Sequence, residues 1–294
     1  MTETHITPST FSIAACDLTT GECGVAVASK FLAVGAIVPW AQAGVGAIAT
    51  QAWANLSYGT EGLALLKSGH TPEQVILKLV ESDDQREHRQ WGIVDHQGHA
   101  AAWTGKDCFQ WAGHRTGVAY TCQGNLLAGD AVVSSMAETF ERTSGPFPER
   151  MVQVLEAGQA RGGDSRGQQS AALYVVKEKG SYGGYLDRYI DLRVDDHATP
   201  ITELRRVLEL HRLYFGATDS SALTRAAGNV AREIQQILHT LGYYKGAITG
   251  VYDEATKDAF RRFCSIENFE ERWRDDDMVD REIIAFMRKR TAAR

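Results

Sequence analysis

TFSIAACDLTTGECGVAVASKF, residues 10–31, is the stretch that most clearly indicates the fold. Two short apolar runs, 10–15 and 24–30, flank a turn-rich segment at 17–22. Strands joined by so short a connection pair antiparallel. The sequence therefore predicts a β-hairpin that belongs to an antiparallel sheet.

Outward from this hairpin, short strands alternate with amphipathic helices. Further strands are predicted near 45–50, 91–95, 99–104, 117–122, 170–177 and 188–194. Helices are predicted near 59–67, 72–82, 130–143, 146–160 and 199–214. Hairpins at both ends of a helix pair predict a layered α+β fold rather than a doubly wound parallel sheet.

The length and charge of the chain limit the classes of protein to which it can belong. Its 294 residues exceed the size at which one compact core is usual, which predicts two domains. The formal net charge of -6 argues against a nucleic-acid partner, because phosphate binding needs a clustered positive field.

Cysteine usage and the N-terminal segment bear on the compartment. The five cysteines show no CxxC spacing, which argues against a disulfide framework and against a zinc site. The N-terminal segment lacks the basic start and long apolar run of a signal peptide, and no apolar stretch approaches about 18 residues. These observations predict a cytoplasmic protein with no membrane span, metal or other cofactor.

Several segments between residues 10 and 216 carry a family resemblance. They include GVGAIATQAWAN (44–55), QGNLL (123–127), GGDSRGQQSAA (162–172), DLRVDDH (191–197) and ELHRLYFG (209–216). Together with the opening hairpin they closely resemble an uncharacterised prokaryotic family, the domain of unknown function DUF1028. That family is placed among proteins with the N-terminal-nucleophile hydrolase fold. The resemblance therefore implies a four-layer αββα sandwich, with two antiparallel sheets between helical layers.

The resemblance also implies a nucleophile at the start of the first strand. In hydrolases of this fold that residue becomes the chain terminus after processing, and here it maps to Thr10. An N-terminal extension, 1–9, precedes it, so a free amine requires cleavage of the Ser9–Thr10 bond. The released α-amine, with a pKa of about 7.7–8.0, can then act as the base. The alternative is that Thr10 is an ordinary first-strand residue.

Other candidate residues lie near the ends of predicted strands. Ser29 and Lys30 end the second strand, where a lysine ammonium would lower the proton affinity of a nearby amine. Asn125 is a candidate to bind an oxyanion or a substrate amide. The predicted substrate-binding residues follow apolar strands, where loops commonly line pockets, and are Thr50, Gln51, Trp53, Asn55 and Gln123. A buried structural network is the alternative for these polar side chains.

Asp195, Asp196 and His197 place three potential metal ligands side by side. Neighbouring residues on a strand point to opposite faces, so at most the first and third could share one ion. On a continued strand, Arg193 would lie between Asp191 and Asp195 on one face, which favours ion pairing. We predict a salt-bridged turn and no metal site.

After residue 216 the chain becomes small and polar, which predicts a linker at 217–228 and a separate domain at 229–294. This second region resembles the all-α, three-helix peptidoglycan-binding-like domain. The residues that carry the resemblance are Ile234, Gln235, Leu238, Leu241, Gly242, Tyr243, Gly246, Gly250, Tyr252, Thr256, Ala259, Phe260 and Phe263. Thr249 and Cys264 depart from the usual pattern. The aromatic residues can fill a small core or stack on sugar, so the implied partner is a glycan or another protein.

Two classes of function remain open from the sequence. The first is an amide-bond hydrolase of the N-terminal-nucleophile type, acting on a small amide or peptide-like substrate. The second is a non-catalytic ligand-binding or scaffold protein that keeps the fold. Because open sheet edges are commonly buried by self-association, a homodimer is also predicted.

Overall fold

The chain forms two compact units, Met1–Leu208 and Glu209–Arg294. The computed structural model describes residues 10–216 and 218–292. The predicted N-terminal extension, 1–9, lies outside the described residues, and so does residue 217 of the predicted linker.

In its described residues, the first unit contains ten strands and four complete α-helices, and a fifth α-helix crosses its boundary. The strands are β1 (Thr10–Cys16), β2 (Cys23–Ser29), β3 (Pro39–Gln42), β4 (Gly46–Ala52), β5 (Arg89–Asp95), β6 (Ala100–Thr104), β7 (Gly113–Gly117), β8 (Tyr120–Asn125), β9 (Ser170–Val176) and β10 (Arg188–Val194). The helices are α1 (Ser57–Lys67), α2 (Pro72–Glu81), α3 (Asp130–Arg142), α4 (Phe147–Ala160) and α5 (Pro200–Phe215). Every element predicted in this region is confirmed to within three residues.

Two strands, β3 and β7, were not predicted. Both lie at a sheet edge and have one neighbour each. The sequence PWAQ of β3 begins with proline, and GHRTG of β7 has no apolar alternation. An edge strand needs only one buried face or none, so its sequence carries little of the periodic signal that marks a central strand.

The strands form two antiparallel sheets. The six-stranded sheet has the order β10-β9-β2-β1-β8-β7, and the four-stranded sheet has the order β3-β4-β5-β6. Every pair of neighbouring strands in the two sheets is antiparallel, as the hairpin pattern predicts. The mixed α+β class is thereby confirmed.

Alternation along the strands sets the layers. On one face of the six-stranded sheet, Phe11 and Ile13 pack with the helical residues Met136 and Leu155. On its other face lies an apolar cluster shared with the second sheet, made of small residues such as Ala14, Val25, Ala47 and Val94. The outer face of the four-stranded sheet packs against α1 and α2 through Ile48, Trp91, Leu63 and Leu79. The two sheets therefore face each other, and helices cover both outer surfaces.

Cys16 and Cys23 form a disulfide across the opening hairpin. The pattern of cysteines predicted no disulfide framework, and for this pair the prediction is wrong. The two residues are direct partners in the register of β1 and β2, so strand pairing rather than sequence spacing brings them together. Cys108, Cys122 and Cys264 are free and buried.

The second unit contains α6 (Asn229–Leu241), α7 (Glu254–Ile266) and α8 (Arg281–Ala292). It also contains two paired strands, β11 (Leu223–Arg225) and β12 (Met278–Asp280), so the all-α prediction is wrong. Strands of three residues are too short to show a period in the sequence. Strand β11 lies within the segment predicted as a linker.

The aromatic residues of the second unit mainly fill its core. Tyr252, Phe260 and Phe263 are buried together with Phe269. Gly242 ends α6 with a φ of 88°, a left-handed conformation that only glycine adopts at no steric cost. The sequence left two roles open for the aromatic residues, filling a core or stacking on sugar. Tyr252, Phe260 and Phe263 fill the core.

In the described ranges no helix has both the length and the apolar character needed to cross a membrane. The predicted homodimer stays a prediction. The edges at which a second copy could extend a sheet are β10 and β7 in one sheet and β3 and β6 in the other.

Candidate functional site

A row of hydroxyl and amide side chains crosses the six-stranded sheet where β1 begins. Thr10 is paired with Asn125 on one side and with Ser29 on the other, and Ser29 is paired with Ser170. Directly paired residues on neighbouring strands project from the same face. Three of the four predicted catalytic residues, Thr10, Ser29 and Asn125, thus lie side by side.

Thr10 is held between neutral groups. Its Oγ1 donates a hydrogen bond to Ser29 Oγ at 3.2 Å, and its carbonyl oxygen accepts one from Gln51 Nε2 at 3.2 Å. The residue is only 1% exposed. These two hydrogen bonds fix the orientation of Thr10, and both partners are uncharged.

A buried amide network joins the two sheets behind Thr10. Gln51 donates to Gln90 Oε1 at 2.9 Å and accepts from Ser12 Oγ at 2.6 Å. Asn125 Nδ2 also donates to Gln90 Oε1 at 2.9 Å. Gln90 in turn donates to the carbonyl of Gly124 at 2.7 Å. Because unpaired amides in such a place would cost several kcal/mol, this network holds Asn125 and the Thr10 carbonyl in register.

Gln123, predicted to bind substrate, belongs to the same buried network. Its Nε2 donates to Ser12 Oγ at 2.7 Å, and its Oε1 accepts from Thr121 Oγ1. Gly92 of β5 faces this pair closely: a Cβ there would lie 2.0 Å from Thr121 Oγ1 and 2.3 Å from Gln123 Oε1. The contacts of Gln123 are therefore those of a buried structural network, which is the alternative to substrate binding.

Lys30, the fourth predicted catalytic residue, extends into solvent. Its Nζ donates to the carbonyl of Gln168 at 3.3 Å rather than to the Thr10 hydroxyl. Its backbone N–H donates to Asp164 Oδ2 at 2.7 Å. Asp164 is buried and also binds Arg166 through Nη2 at 3.0 Å. This carboxylate ties the glycine-rich loop to the end of β2.

A pocket of about 420 Å³ opens beside the row. It is lined by Ala52, Trp53, Gln85, His88, Asp107, Cys108, Phe109 and Asn125. Asn125 belongs both to this lining and to the row that contains Thr10. The pocket has aromatic walls, because Trp53 is 39% and Phe109 is 51% exposed. A concave, mainly apolar pocket with a few polar groups is the usual form of a small-molecule site.

Two left-handed residues shape the rim of the pocket. Ala52 has a φ of 63° and follows Gln51, while Leu126 has a φ of 51° and follows Asn125. A residue with a side chain pays about 1–2 kcal/mol in this region. Such strain commonly lies at functional sites, and here it turns the chain sharply away at the ends of β4 and β8.

A buried ion pair supports the wall of the pocket from behind. Arg89 Nε donates to Asp83 Oδ2 at 2.9 Å, and its Nη1 donates to the carbonyl of Trp53 at 2.6 Å. Burial opposes ionisation of Asp83, but the hydrogen bonds from Arg89 and from Tyr58 outweigh it and hold its pKa well below the usual range. The carboxylate therefore stays charged at neutral pH.

Two predicted substrate-binding residues contact this support rather than the pocket. Asn55 Nδ2 donates to Asp83 Oδ2 at 3.4 Å, and Thr50 Oγ1 donates to the Asn55 carbonyl at 3.2 Å. Of the five residues predicted to bind substrate, Trp53 alone lines the pocket within the described parts of the chain.

Cys108 is the most nucleophilic type of side chain in the pocket lining. Burial raises the pKa of its thiol to about 11, and nearby Asp107 and Glu87 add to the effect. Its Sγ lies 3.4 Å from the Arg89 carbonyl, to which it donates. Since the thiolate is the reactive form, Cys108 is a poor nucleophile at neutral pH.

The three potential metal ligands at 195–197 go to three different partners. Asp195 contacts Arg193 at 3.3 Å, Asp196 accepts from Gln169 at 3.1 Å, and His197 Nδ1 accepts from the Thr199 N–H at 3.1 Å. Over residues 10–216 and 218–292, no group of three or more His, Cys, Asp and Glu side chains is arranged to hold a metal.

Several residues of the site were not predicted from the sequence. Gln90 is the hub of the amide network, and His88, Phe109 and Cys108 line the pocket. The signal for Gln90 was a polar residue at an inward position of an otherwise apolar strand. Cys108 and Phe109 lie in a loop and His88 ends a one-turn 3-10 helix, and in neither setting does the sequence indicate where a side chain points.

The second unit has a groove of its own, of about 590 Å³. Its lining includes Tyr243, Tyr244, Lys245, Asp258 and Arg262. Arg262 donates to the Tyr243 carbonyl at 2.9 Å. Aromatic and charged side chains thus share one concave surface, although Tyr244 is itself largely buried.

Comparison with known proteins bears on both units. A family model described as a family of unknown function, DUF1028, matches residues 10–204, and one described as a putative peptidoglycan binding domain matches residues 218–287. Among solved structures, the chain is similar to the crystal structure of protein SPO2555 from Silicibacter pomeroyi, which carries the same DUF1028 assignment. The two are 30% identical over 69% of this chain and 89% of that chain, with a TM-score of 0.63. No curated protein matches this chain. The two resemblances inferred from the sequence are confirmed.

Proposed function

The chain belongs to the DUF1028 family, whose function is unknown, and from its own geometry we propose that its first unit hydrolyses amide bonds with Thr10 as the nucleophile. The observation that carries this proposal is the position of Thr10. It begins the first strand, its hydroxyl contacts Ser29 at 3.2 Å, and its neighbour Asn125 lines a pocket of about 420 Å³.

The layers of the first unit support this proposal. Two facing antiparallel sheets with helices on both outer surfaces agree with the αββα sandwich of N-terminal-nucleophile hydrolases. In that fold the nucleophile stands at the start of a central strand, and β1 is central in the six-stranded sheet. We propose that this unit is such a sandwich.

The neutral neighbours of Thr10 indicate which group would take the proton. Among the described residues, its hydroxyl and carbonyl bind the Ser29 hydroxyl and the Gln51 amide, neither of which is a base at neutral pH. Cleavage of the Ser9–Thr10 bond would supply an α-amine with a pKa of about 7.7–8.0 on Thr10 itself. That amine is the base in this proposal.

The reaction then has two steps. Thr10 Oγ1 attacks the substrate carbonyl carbon while its proton passes to the α-amine, which gives that proton to the leaving amine as the C–N bond breaks. Water next cleaves the resulting ester and regenerates the hydroxyl. In this proposal the Asn125 amide, beside Thr10 in the strand register, donates to the oxyanion, and Lys30 adds positive potential one residue beyond Ser29.

The rival function is ligand binding without catalysis. An uncleaved peptide bond before Thr10 would leave no free amine, while the pocket and its aromatic walls would remain. The same pocket therefore serves both functions, and the state of the Ser9–Thr10 bond separates them.

A chemical probe can test for an N-terminal nucleophile directly. In a chain in which Met1 is followed at once by Thr10, removal of the initiator methionine frees the Thr10 amine. A peptide epoxyketone reacts with both the hydroxyl and the amine of an N-terminal threonine, so we expect intact-mass spectrometry to show one adduct per chain. Turnover of a panel of small amides should appear in the same chain.

Thr10→Val is the matched control, because valine keeps the β-branched shape and the free amine but lacks the hydroxyl. We expect no adduct on this variant and none on the uncleaved full chain. If the Thr10-first chain folds, as judged by circular dichroism, yet forms no adduct and hydrolyses no amide, ligand binding becomes the better proposal.

For the second unit we propose glycan binding at the groove that contains Tyr243 and Arg262. The match to a putative peptidoglycan binding domain and the aromatic and charged lining support this. We expect the full chain to co-sediment with insoluble peptidoglycan, and Arg262→Ala to weaken retention about five-fold. Arg288→Ala is the control, since Arg288 Nη2 donates to Glu233 Oε2 at 2.9 Å and neither residue lines the groove. Equal retention of both variants, or none of the parent chain, would argue for a protein partner instead.

A further inference from the structure

The pocket beside Thr10 has a charge pattern that the proposed hydrolysis does not itself require. Of its lining side chains in the described chain, three are ionisable: the carboxyl group of Asp107, the imidazole of His88 and the thiol of Cys108. Among the lining residues that the structure describes, there is neither lysine nor arginine. Small-molecule carboxylates and phosphates are usually bound by arginine or lysine, so this lining disfavours an anionic ligand.

The Asp107 carboxylate is open to a ligand. Its closest ionic partner among the described residues is His88, whose Nε2 lies 3.9 Å from Asp107 Oδ2, beyond hydrogen-bond distance. Both side chains are about half exposed, at 46% for Asp107 and 54% for His88. A carboxylate of this kind can accept a charge-assisted hydrogen bond from a ligand without breaking an internal one.

The charged groups that act on the Cys108 thiol in the pocket are both carboxylates. Asp107 and Glu87 both raise the pKa of the Cys108 thiol, after the larger effect of burial. The nearest buried cation, Arg89, is paired with Asp83 and bonded to the Trp53 carbonyl, so it is not available to neutralise Asp107. Arg86 lies closest to Glu87, at 3.9 Å.

Aromatic surface completes the pattern. The rings of Trp53 and Phe109 are the large exposed apolar groups of the lining. Such rings bind flat apolar groups, and their faces attract an ammonium with about 0.5–2 kcal/mol. An aromatic wall next to a half-exposed carboxylate matches a ligand that has both an apolar ring and a cation.

We infer that this pocket selects small amides that carry a protonated amine beside an aromatic or apolar group. That the ligand is an amide rests on the proposed function, whereas the preference for a cation rests only on the side chains that line the pocket. Asp107 binds the ammonium, Trp53 and Phe109 contact the ring, and the amide bond is directed toward Asn125 and Thr10.

Three matched probes test the preference by binding alone. 4-(Aminomethyl)benzamide, 4-(hydroxymethyl)benzamide and 4-carbamoylbenzoate share a benzamide and differ in charge. Isothermal titration of the full chain at pH 7 should give the tightest binding for the amine, about five-fold tighter than for the alcohol, with the benzoate weakest.

Two isosteric variants separate the pocket carboxylate from general charge. Asp107→Asn should remove the five-fold difference between amine and alcohol, while Asp84→Asn, an exposed carboxylate outside the lining, should leave it unchanged. Equal affinity for the three probes, tighter binding of the benzoate, loss of the difference in both variants, or no measurable binding would overturn the inference.

These outcomes are distinct from those of the hydrolase test. Binding of the probes needs no free Thr10 amine, so a chain that fails to form the epoxyketone adduct can still show the cation preference. Conversely, an adduct on Thr10 combined with equal affinity for the three probes would retain the hydrolase and reject this substrate class.

Discussion

Arg89→Met is expected to lower the free energy of unfolding by about 3–5 kcal/mol, the range for removing one partner of a buried ion pair. The Arg89 and Asp83 side chains are only 9% and 11% exposed, so the remaining carboxylate would be left charged and poorly solvated. The change also removes the hydrogen bonds to the Trp53 carbonyl and to Gln85 Oε1, both in the pocket wall. Urea denaturation followed by fluorescence measures the loss.

Arg86→Met is the matched control for this prediction. Arg86 is half exposed and lies 3.9 Å from Glu87, a surface contact for which we expect a change within about 0.5 kcal/mol. Adding Asp83→Asn to Arg89→Met should recover part of the loss, because it removes the unpaired charge. Similar losses for Arg86→Met and Arg89→Met would mean that the buried pair has no special role.

The same pair sets a pH dependence. The pKa of Asp83 is lowered in the folded chain, so its contribution is fully present above the unfolded value of about 3.9 and is lost as the pH falls toward the folded value. We therefore expect the unmodified chain to lose more stability than Asp83→Asn between about pH 5 and pH 2. A parallel loss in both would contradict the assignment.

Gly92→Ala is expected to destabilise the first unit by about 3 kcal/mol, at the upper end of what overpacking a core usually costs. A Cβ at this position would lie 2.0 Å from Thr121 Oγ1 and 2.3 Å from Gln123 Oε1, in the fully buried space between the sheets. Moving these side chains breaks their hydrogen bonds to each other and to Ser12. Thermal unfolding should show a clear fall in midpoint temperature.

Gly129→Ala provides the comparison. This glycine has extended backbone, with a φ of 160°, and a Cβ there meets no atom within 4 Å. We expect a change of about 0.5 kcal/mol or less in either direction. If Gly92→Ala proved as mild as Gly129→Ala, the two sheets would have to be less tightly packed at this point than the contacts indicate.

Much of the candidate site could be predicted because the family resemblance pointed to Thr10 and because strand ends are visible in the sequence. Thr10, Ser29 and Asn125 were chosen from separate segments, and strand register brings them into one row. Gln51 and Gln123 were also chosen, but their contacts are with Ser12 and Gln90 inside the molecule. The sequence around a polar residue at a strand end looks the same whether its side chain lines a pocket or contacts the opposite sheet. Which of the two occurs depends on a partner residue far away in the chain.

The amino-acid sequence by itself determined the helices and the central strands of the first unit, because each depends on neighbours a few residues away. The alternation in β1 and the Thr71 cap before α2 are local features that only need to be counted. Tertiary structure alone decided the Cys16–Cys23 disulfide, the edge strands β3 and β7, and the pocket that joins Trp53 to Phe109. The pocket depends on contacts between segments remote in sequence, whereas the disulfide and both edge strands join partners in adjacent strands of a hairpin. None of these features follows a local period of apolar residues, so the sequence alone does not display them.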